Sequence, residues 1–363
     1  MGNSFINDFV SLSGTEAIFR HGACHTFAGM SACLLMMHEI IKYRTRECLS
    51  VMEINTLNQL IQLRRHLHQH PEISGEEVET AAAVVAFFDD LPYTRIETEV
   101  GGTGVLVTFD SGKPGKSLLF RAELDGLPIQ EEGELAYKSV HEGKGHQCGH
   151  DGHAAMLAGV GAWLSENPLS SGKVHLLFQP AEENGQGAQA VMNDERFKTL
   201  AFDEVYALHN LPGYPLGQIV VKDHSFTAAV NSVIIKITGK TAHAAEPENG
   251  LNPSLAIAEI LSGLQALQHN HPQSADFRLV TPVHVTMGSR DYGISAGDAE
   301  IHLTLRSWTN EGLAELEQSV IRLAAEVCKK HHLGLEHEFL AHFYANENDA
   351  DCVNAVRRAA ESA

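Results

Sequence analysis

The chain is short of positive charge. Its 363 residues carry 26 Lys and Arg against 46 Asp and Glu, a formal net charge of −20. That balance opposes unassisted binding to nucleic acid or to anionic membranes, so neither partner is expected. Long apolar runs are also missing. "SACLLMMHEIIKY" falls short of the ~18 apolar residues that a bilayer span requires. The opening "MGNSFINDF" has no basic region ahead of an apolar one, which argues against a secretory signal. The six cysteines (Cys24, Cys33, Cys48, Cys148, Cys328 and Cys352) show no CxxC pair and no framework spacing. They read as reduced thiols of a cytoplasmic protein.

What is present is a globular composition with an excess of histidine. A hydrophobic content of 44% with 20% charge suits a soluble, core-forming chain, and the length allows two domains. The 22 histidines cluster. Residues 1–51 differ from the rest, and the fold is expected to begin near Met52 with 1–51 as an extension outside it. From there the pattern is α/β. Leu57 to Leu67 reads as a helix stopped near Pro71, and "GEEVETAAAVVAFFDDL" as a second. "GTGVLVTFD", "SLLFRAELD", "GKVHLLFQPAEE" and "EVYALHN" read as strands, with the small-residue helix "GHAAMLAGVGAWLSE" between them. Strands alternating with helices predict a largely parallel sheet over 52–225, with reactive residues just past the strand ends. From about Asn231 the order becomes βαββαβ, a ferredoxin-like arrangement. It predicts an inserted domain over 226–340, with 341–363 returning to the first domain.

"GHQCGHDGH", residues 145–153, concentrates coordinating chemistry. Cys148 and His150 are two apart, and thiolate and imidazole both suit zinc and similar divalent metals. Asp151 and His153 are further candidate ligands or their supports. A polar loop with unrelated histidines would explain one such residue, not this density. The competing chemical reading makes Cys148 a nucleophile activated by a neighbouring histidine. That reading leaves Glu182 and Glu183, in "FQPAEENG", without a task. Two adjacent carboxylates at a strand end point in different directions, so one can bind metal while the other reaches a water. His209, at the end of "VYALHN", would complete a three-strand site.

Together these segments resemble the M20 metallopeptidase family, in its amidohydrolase branch of N-acyl-amino-acid, hippurate and auxin-conjugate hydrolases. The resemblance runs from about residue 57 to 363. It rests on "LRRHLHQHPEISGEE", "FRAELDGLPIQE", "GHQCGHDGH", "FQPAEENGQGA", "ALHNLPGYPLG" and "GKTAHAAEPENGLNP" in that order. It implies a metal-dependent exopeptidase-like catalytic domain with an inserted lid and dimerisation domain. It implies two divalent ions per subunit (Zn, Mn, Co or Ni), with Cys148, His150, Glu183 and His209 as ligands. Glu182 would be the general base, Asp125 the carboxylate that orients a ligand, and His243 the lid histidine that stabilises the oxyanion. Arg306 aligns with a lid arginine that binds substrate. The substrate would be a small N-acyl amino acid or peptide-like amide, and the protein a homodimer through the lid.

There are two departures. The family's "NVIP"-like lid stretch is replaced within "VTMGSRDYGISAGDAEIHLTLRSW", so substrate preference is expected to differ. A "GSED"-like segment and a final histidine ligand are not found, which leads to the expectation of a C-terminally truncated, poorly active chain. The other readings are a dipeptidase or carboxypeptidase with the same site, and an impaired homologue.

Overall fold

The protein is described by a computed structural model over residues 54–362, apart from 94 and 216. The expected extension, 1–51, lies outside the described residues. The chain forms two compact units. One holds the described residues up to Val221 together with those from Ala350, and the other runs from Lys222 to Asp349.

The first unit starts with α1 (Ile54–Gln69), whose Leu60, Leu63 and Leu67 lie on one buried face. Next come α2 (Val78–Phe88), β1 (Arg95–Val100), β2 (Gly104–Asp110) and β3 (Ser117–Glu123). They are followed by α3 (His150–Glu166), β4 (Lys173–Gln179), α4 (Gly187–Asn193) and β5 (Glu204–Ala207). The sheet order is β1-β2-β4-β3-β5. Its central strands are buried on both faces. Val105, Val107, Phe120, Leu176 and Phe178 enter one core cluster, while the alternate residues Leu106, Leu119 and Leu177 enter another. That alternation is the period-2 signature of a strand covered on both sides. Gly161 on α3 is needed for the fit, because a Cβ there would lie 2.3 Å from the Phe88 ring.

The sheet is mixed, which corrects the largely parallel arrangement expected from sequence. β3 pairs in parallel with β4 and with β5, but β1–β2 and β2–β4 are antiparallel. β1, "RIETEV", is mostly polar and gave no strand signal. Only residues 101–103 separate it from β2, too short a link for a parallel crossover.

The second unit comprises β6 (His224–Thr227), β7 (Ala229–Thr238), β8 (Ala242–His243), α5 (Ser254–Gly263) and β9 (Arg278–Met287). It continues with β10 (Ile294–Ser295), β11 (Asp298–Ser307), α6 (Asn310–Lys330), β12 (Gly334–Phe343) and β13 (Asn346–Asn348). Its main sheet has the order β12-β7-β11-β9 with every pairing antiparallel. Alternate residues of β7 and β11 point into one core with α5 and α6. On α6 the buried Leu313, Leu316, Val320, Ala324 and Val327 recur at helical spacing, and Thr309 caps the helix through the Gly312 N–H. Pro282 sits in β9, an edge strand, where its missing donor costs least. The unit is wider than the 226–340 read from sequence. β12 reaches Phe343, β13 pairs back onto β6, and Asn348 Nδ2 donates to the Lys222 carbonyl at 2.8 Å. The chain then rejoins the first unit in α7 (Ala350–Ser362), whose Ala359 enters the first core cluster. Among the described residues no helix is long and apolar enough to cross a membrane.

Candidate metal centre

β4, β3 and β5 are neighbours and run in the same direction, so the segments after their C-terminal ends converge. Asp125 follows β3, Glu182 and Glu183 follow β4, and His209 follows β5. α3 begins at His150, and Gly149 before it has φ 99°, a left-handed conformation suited to glycine. A Cβ at Gly149 would also lie 2.6 Å from the Asn210 side chain. The loop carrying Cys148 is thereby turned toward His209.

Three groups of candidate ligand atoms each fall within 4.8 Å, and His150 belongs to all of them. They are Cys148 with His150 and His209, His150 with Glu182 and Glu183, and Glu123 with His150 and His153. His150 is buried, and its Nδ1–H donates to the Asp125 carbonyl at 2.8 Å and to Asp125 Oδ1 at 3.2 Å. That leaves a lone pair on Nε2, which has no hydrogen-bond partner. Glu183 Oε1, 3.8 Å away, is also buried without one, and Glu182 Oε2 stands at the same distance. His209 donates from Nδ1 to the Asn210 carbonyl at 2.7 Å, so its Nε2 faces Cys148 Sγ at 3.2 Å.

The electrostatics favour a cation at this point. Burial alone would depress His150, but its bond to Asp125 and the nearby Cys148 and Glu123 groups raise it to about 11. The carboxylates that favour a proton there equally favour a metal ion. Asp125 is fully buried, yet it is held below the usual carboxylate range. Burial is outweighed by bonds from His150, the Glu183 N–H (2.9 Å) and Ser74 Oγ (2.7 Å). Burial pushes Glu182 up, against the opposing pull of Arg121. The nearby His150 would lower Cys148, but burial and Glu183 prevail and raise it.

Other residues read from sequence fall elsewhere. Asp151 is in none of the three groups. It points away, to His68 Nδ1 at 2.9 Å and Arg64 Nε at 2.6 Å. His243 lies exposed on β8 and Arg306 exposed on β11, both in the Lys222–Asp349 unit.

Two carboxylates went unread. Glu123 is buried at the end of β3, ion-paired to Arg121 at 2.7 Å and bonded to His153 Nδ1 at 2.7 Å. His153 Nε2 in turn accepts from the Asn210 N–H at 3.0 Å, which braces the residue next to His209. Burial would raise Glu123, but His153 and Arg121 hold it at about 2. Its signal was its position, two residues before Asp125 on a buried strand. Glu77 is fully buried; Oε1 accepts from the Gly75 N–H (2.9 Å) and the Ala181 N–H (2.7 Å), and Oε2 from Thr103 Oγ1 (2.6 Å). Ala181 has φ 46°, which costs a non-glycine residue roughly 1–2 kcal/mol. Glu77 therefore pins the turn that aims Glu182 and Glu183.

The profile of Peptidase family M20/M25/M40 matches residues 119–363. The chain belongs to that family, and its relatives lie in the amidohydrolase branch. It is 34% identical over 278 residues to the N-acetyl-L-cysteine deacetylase of Bacillus subtilis (strain 168), covering 76% of this chain and 66% of the relative. It is 32% identical over 263 residues to the N-acetyldiaminopimelate deacetylase of Priestia megaterium, covering 72% and 70%. Among solved structures it resembles a dinuclear metal binding peptidase of the M20 family from Bacillus subtilis. There the TM-score is 0.71 and the identity 29%, with 85% of this chain and 81% of the other covered.

Proposed function

We propose that this protein is a metal-dependent amidohydrolase that releases the amine from N-acyl amino acids or related conjugates. The observation that carries this reading is a pair of buried, unpartnered atoms, His150 Nε2 and Glu183 Oε1, facing each other at 3.8 Å. Buried polar atoms normally find partners, and a divalent ion would satisfy both. Cys148 and His209 supply the neighbouring donors, a mixed S, N and O set suited to zinc, manganese, cobalt or nickel. We assign Cys148, His150, Glu183 and His209 as ligands of two ions, with Asp125 fixing the tautomer of His150.

Two ions held there would acidify water and polarise the amide carbonyl. Glu182 keeps its carboxylate beside that position and takes the proton of the attacking water. As the C–N bond breaks, Glu182 returns the proton to the departing nitrogen, so the products are a carboxylic acid and a free amine. Burial raises Glu182, which suits a group that must both accept and donate. His243 Nδ1 accepts from the Ala245 N–H at 3.1 Å, so its proton sits on Nε2, the form that donates to an oxyanion. We assign the Lys222–Asp349 unit as a ferredoxin-like lid that also forms a homodimer, with Arg306 contacting substrate. We place the enzyme in the reducing cytoplasm on its cysteine usage.

The names of the relatives support acyl-amino-acid substrates over dipeptides. The test is an assay of N-acetyl amino acids and dipeptides before chelation, after it, and after metal is restored. Acyl-amino-acid hydrolysis lost with the metal and regained with it is the expected result. Hydrolysis indifferent to chelation would refute the proposal.

A further inference from the structure

Three histidines outside the centre gather where α1 ends. His66 lies in its last turn and His70 one residue beyond. The His70 N–H still reaches the His66 carbonyl at 3.1 Å, so the four-residue spacing stays helical and both rings share a face. Their centroids are 4.5 Å apart. His70 also donates from Nδ1 to that carbonyl at 2.9 Å, which leaves its Nε2 lone pair for a ligand. The His141 ring centroid lies 6.0 Å from that of His70. The loop is held in place, since the Val140 N–H donates to the Gln69 carbonyl at 2.9 Å and the Gly143 N–H to Gln130 Oε1 at 2.7 Å.

The three rings line a cavity of about 390 Å³ with Glu72, Glu76, Glu79 and Lys144. Lys144 is paired with Glu76 at 2.7 Å, so the remaining carboxylates leave the cavity negative. None of these residues belongs to the ligand groups of the centre, and the three rings as they stand are not themselves gathered within the 4.8 Å that defines such a group, so closing the site requires one ring to turn. Burial and the neighbouring His70 hold His66 below its ordinary value, which keeps its ring neutral and able to ligate.

We propose that His66, His70 and His141 form an additional site for a borderline divalent ion such as zinc. Imidazole is the preferred nitrogen ligand for such ions, and the exposed His141 ring closes the site by rotating toward the pair. The bound ion clips the end of α1 to the loop that runs on into Cys148 and His150. It stabilises the fold by mass action and takes no part in the chemistry.

The experiment compares the full chain with His66→Asn/His70→Asn and with His141→Asn. Zinc is counted by mass spectrometry after dialysis against micromolar zinc, and melting is followed with and without zinc. The double variant is expected to melt like the wild type in chelator, to hold one zinc fewer per chain, and to lose part of the zinc-induced rise in Tm. His141→Asn should release that zinc at a chelator concentration lower by at least the roughly 10-fold that loss of a supporting group costs. Equal zinc content in the wild type and the double variant would overturn the site. Chelator resistance of His141→Asn equal to the wild type would overturn its third ligand, and with it the site as proposed.

Discussion

The two units bury very different things. Among the described residues, the buried polar side chains of the Lys222–Asp349 unit are Asn231 and Ser307. The other unit buries Glu77, Glu123, Asp125, Glu131, Asp151 and several histidines, most of them around the ends of three strands. Buried charge is tolerated only when paired, and each of these carboxylates accepts hydrogen bonds. One unit gains its stability from an apolar core between helices and a sheet. The other accepts expensive burial to fix donors and acceptors around one point, and it leaves His150 Nε2 and Glu183 Oε1 at that point without hydrogen-bond partners.

Substitutions can break the comparison from either side. Leu303→Ala, in the fully buried core of the Lys222–Asp349 unit, should cost about 2–5 kcal/mol with metal content per folded chain unchanged. Urea unfolding with metal analysis of the folded fraction checks this, and metal lost in proportion to stability would erase the distinction. Glu182→Gln should do the reverse, lowering the hydrolysis rate roughly 100-fold or more while leaving the melting temperature near that of the wild type.

Glu77→Ala should cost about 1–3 kcal/mol, because the Ala181 N–H loses its buried acceptor. It should also shed metal faster in chelator. Glu77→Gln, which keeps an oxygen for that N–H, should recover most of both effects. A smaller effect is expected at His68. Burial pushes it down, but bonds to Asp151 and Glu131 prevail and raise it above 6.5. A raised folded value gives stability that is complete below pH 6.5 and is lost as pH rises through the folded value. The stability gap between wild type and His68→Gln should therefore narrow above that pH, as read from urea midpoints. A gap that widens would contradict the assignment.

The ligand-type residues of the centre were legible because several reactive types recur just past strand ends, in "GHQCGHDGH", "PAEEN" and "ALHN". Glu123 and Glu77 were not, for a physical reason. A carboxylate in a strand or ahead of a helix looks the same in sequence whether it faces water or a buried histidine. The partners that decide it, His153 for Glu123 and the Ala181 N–H for Glu77, lie 30 and 104 residues away. Much of the fold was also legible. β2, β3 and β4 were read correctly because their apolar runs are nearly continuous. Strand direction was not, since it depends on the short link after the polar edge strand β1 and on the reversal of β2 against β4.

The most direct test of the centre is the metal content of Glu182→Gln and Glu183→Gln, measured side by side by mass spectrometry. The two residues are adjacent and both half-buried, and both stand 3.8 Å from His150 Nε2. One is assigned to proton transfer and the other to holding the ion. Metal kept by Glu182→Gln and lost by Glu183→Gln is the expected result, and equal metal content in the two variants would contradict it.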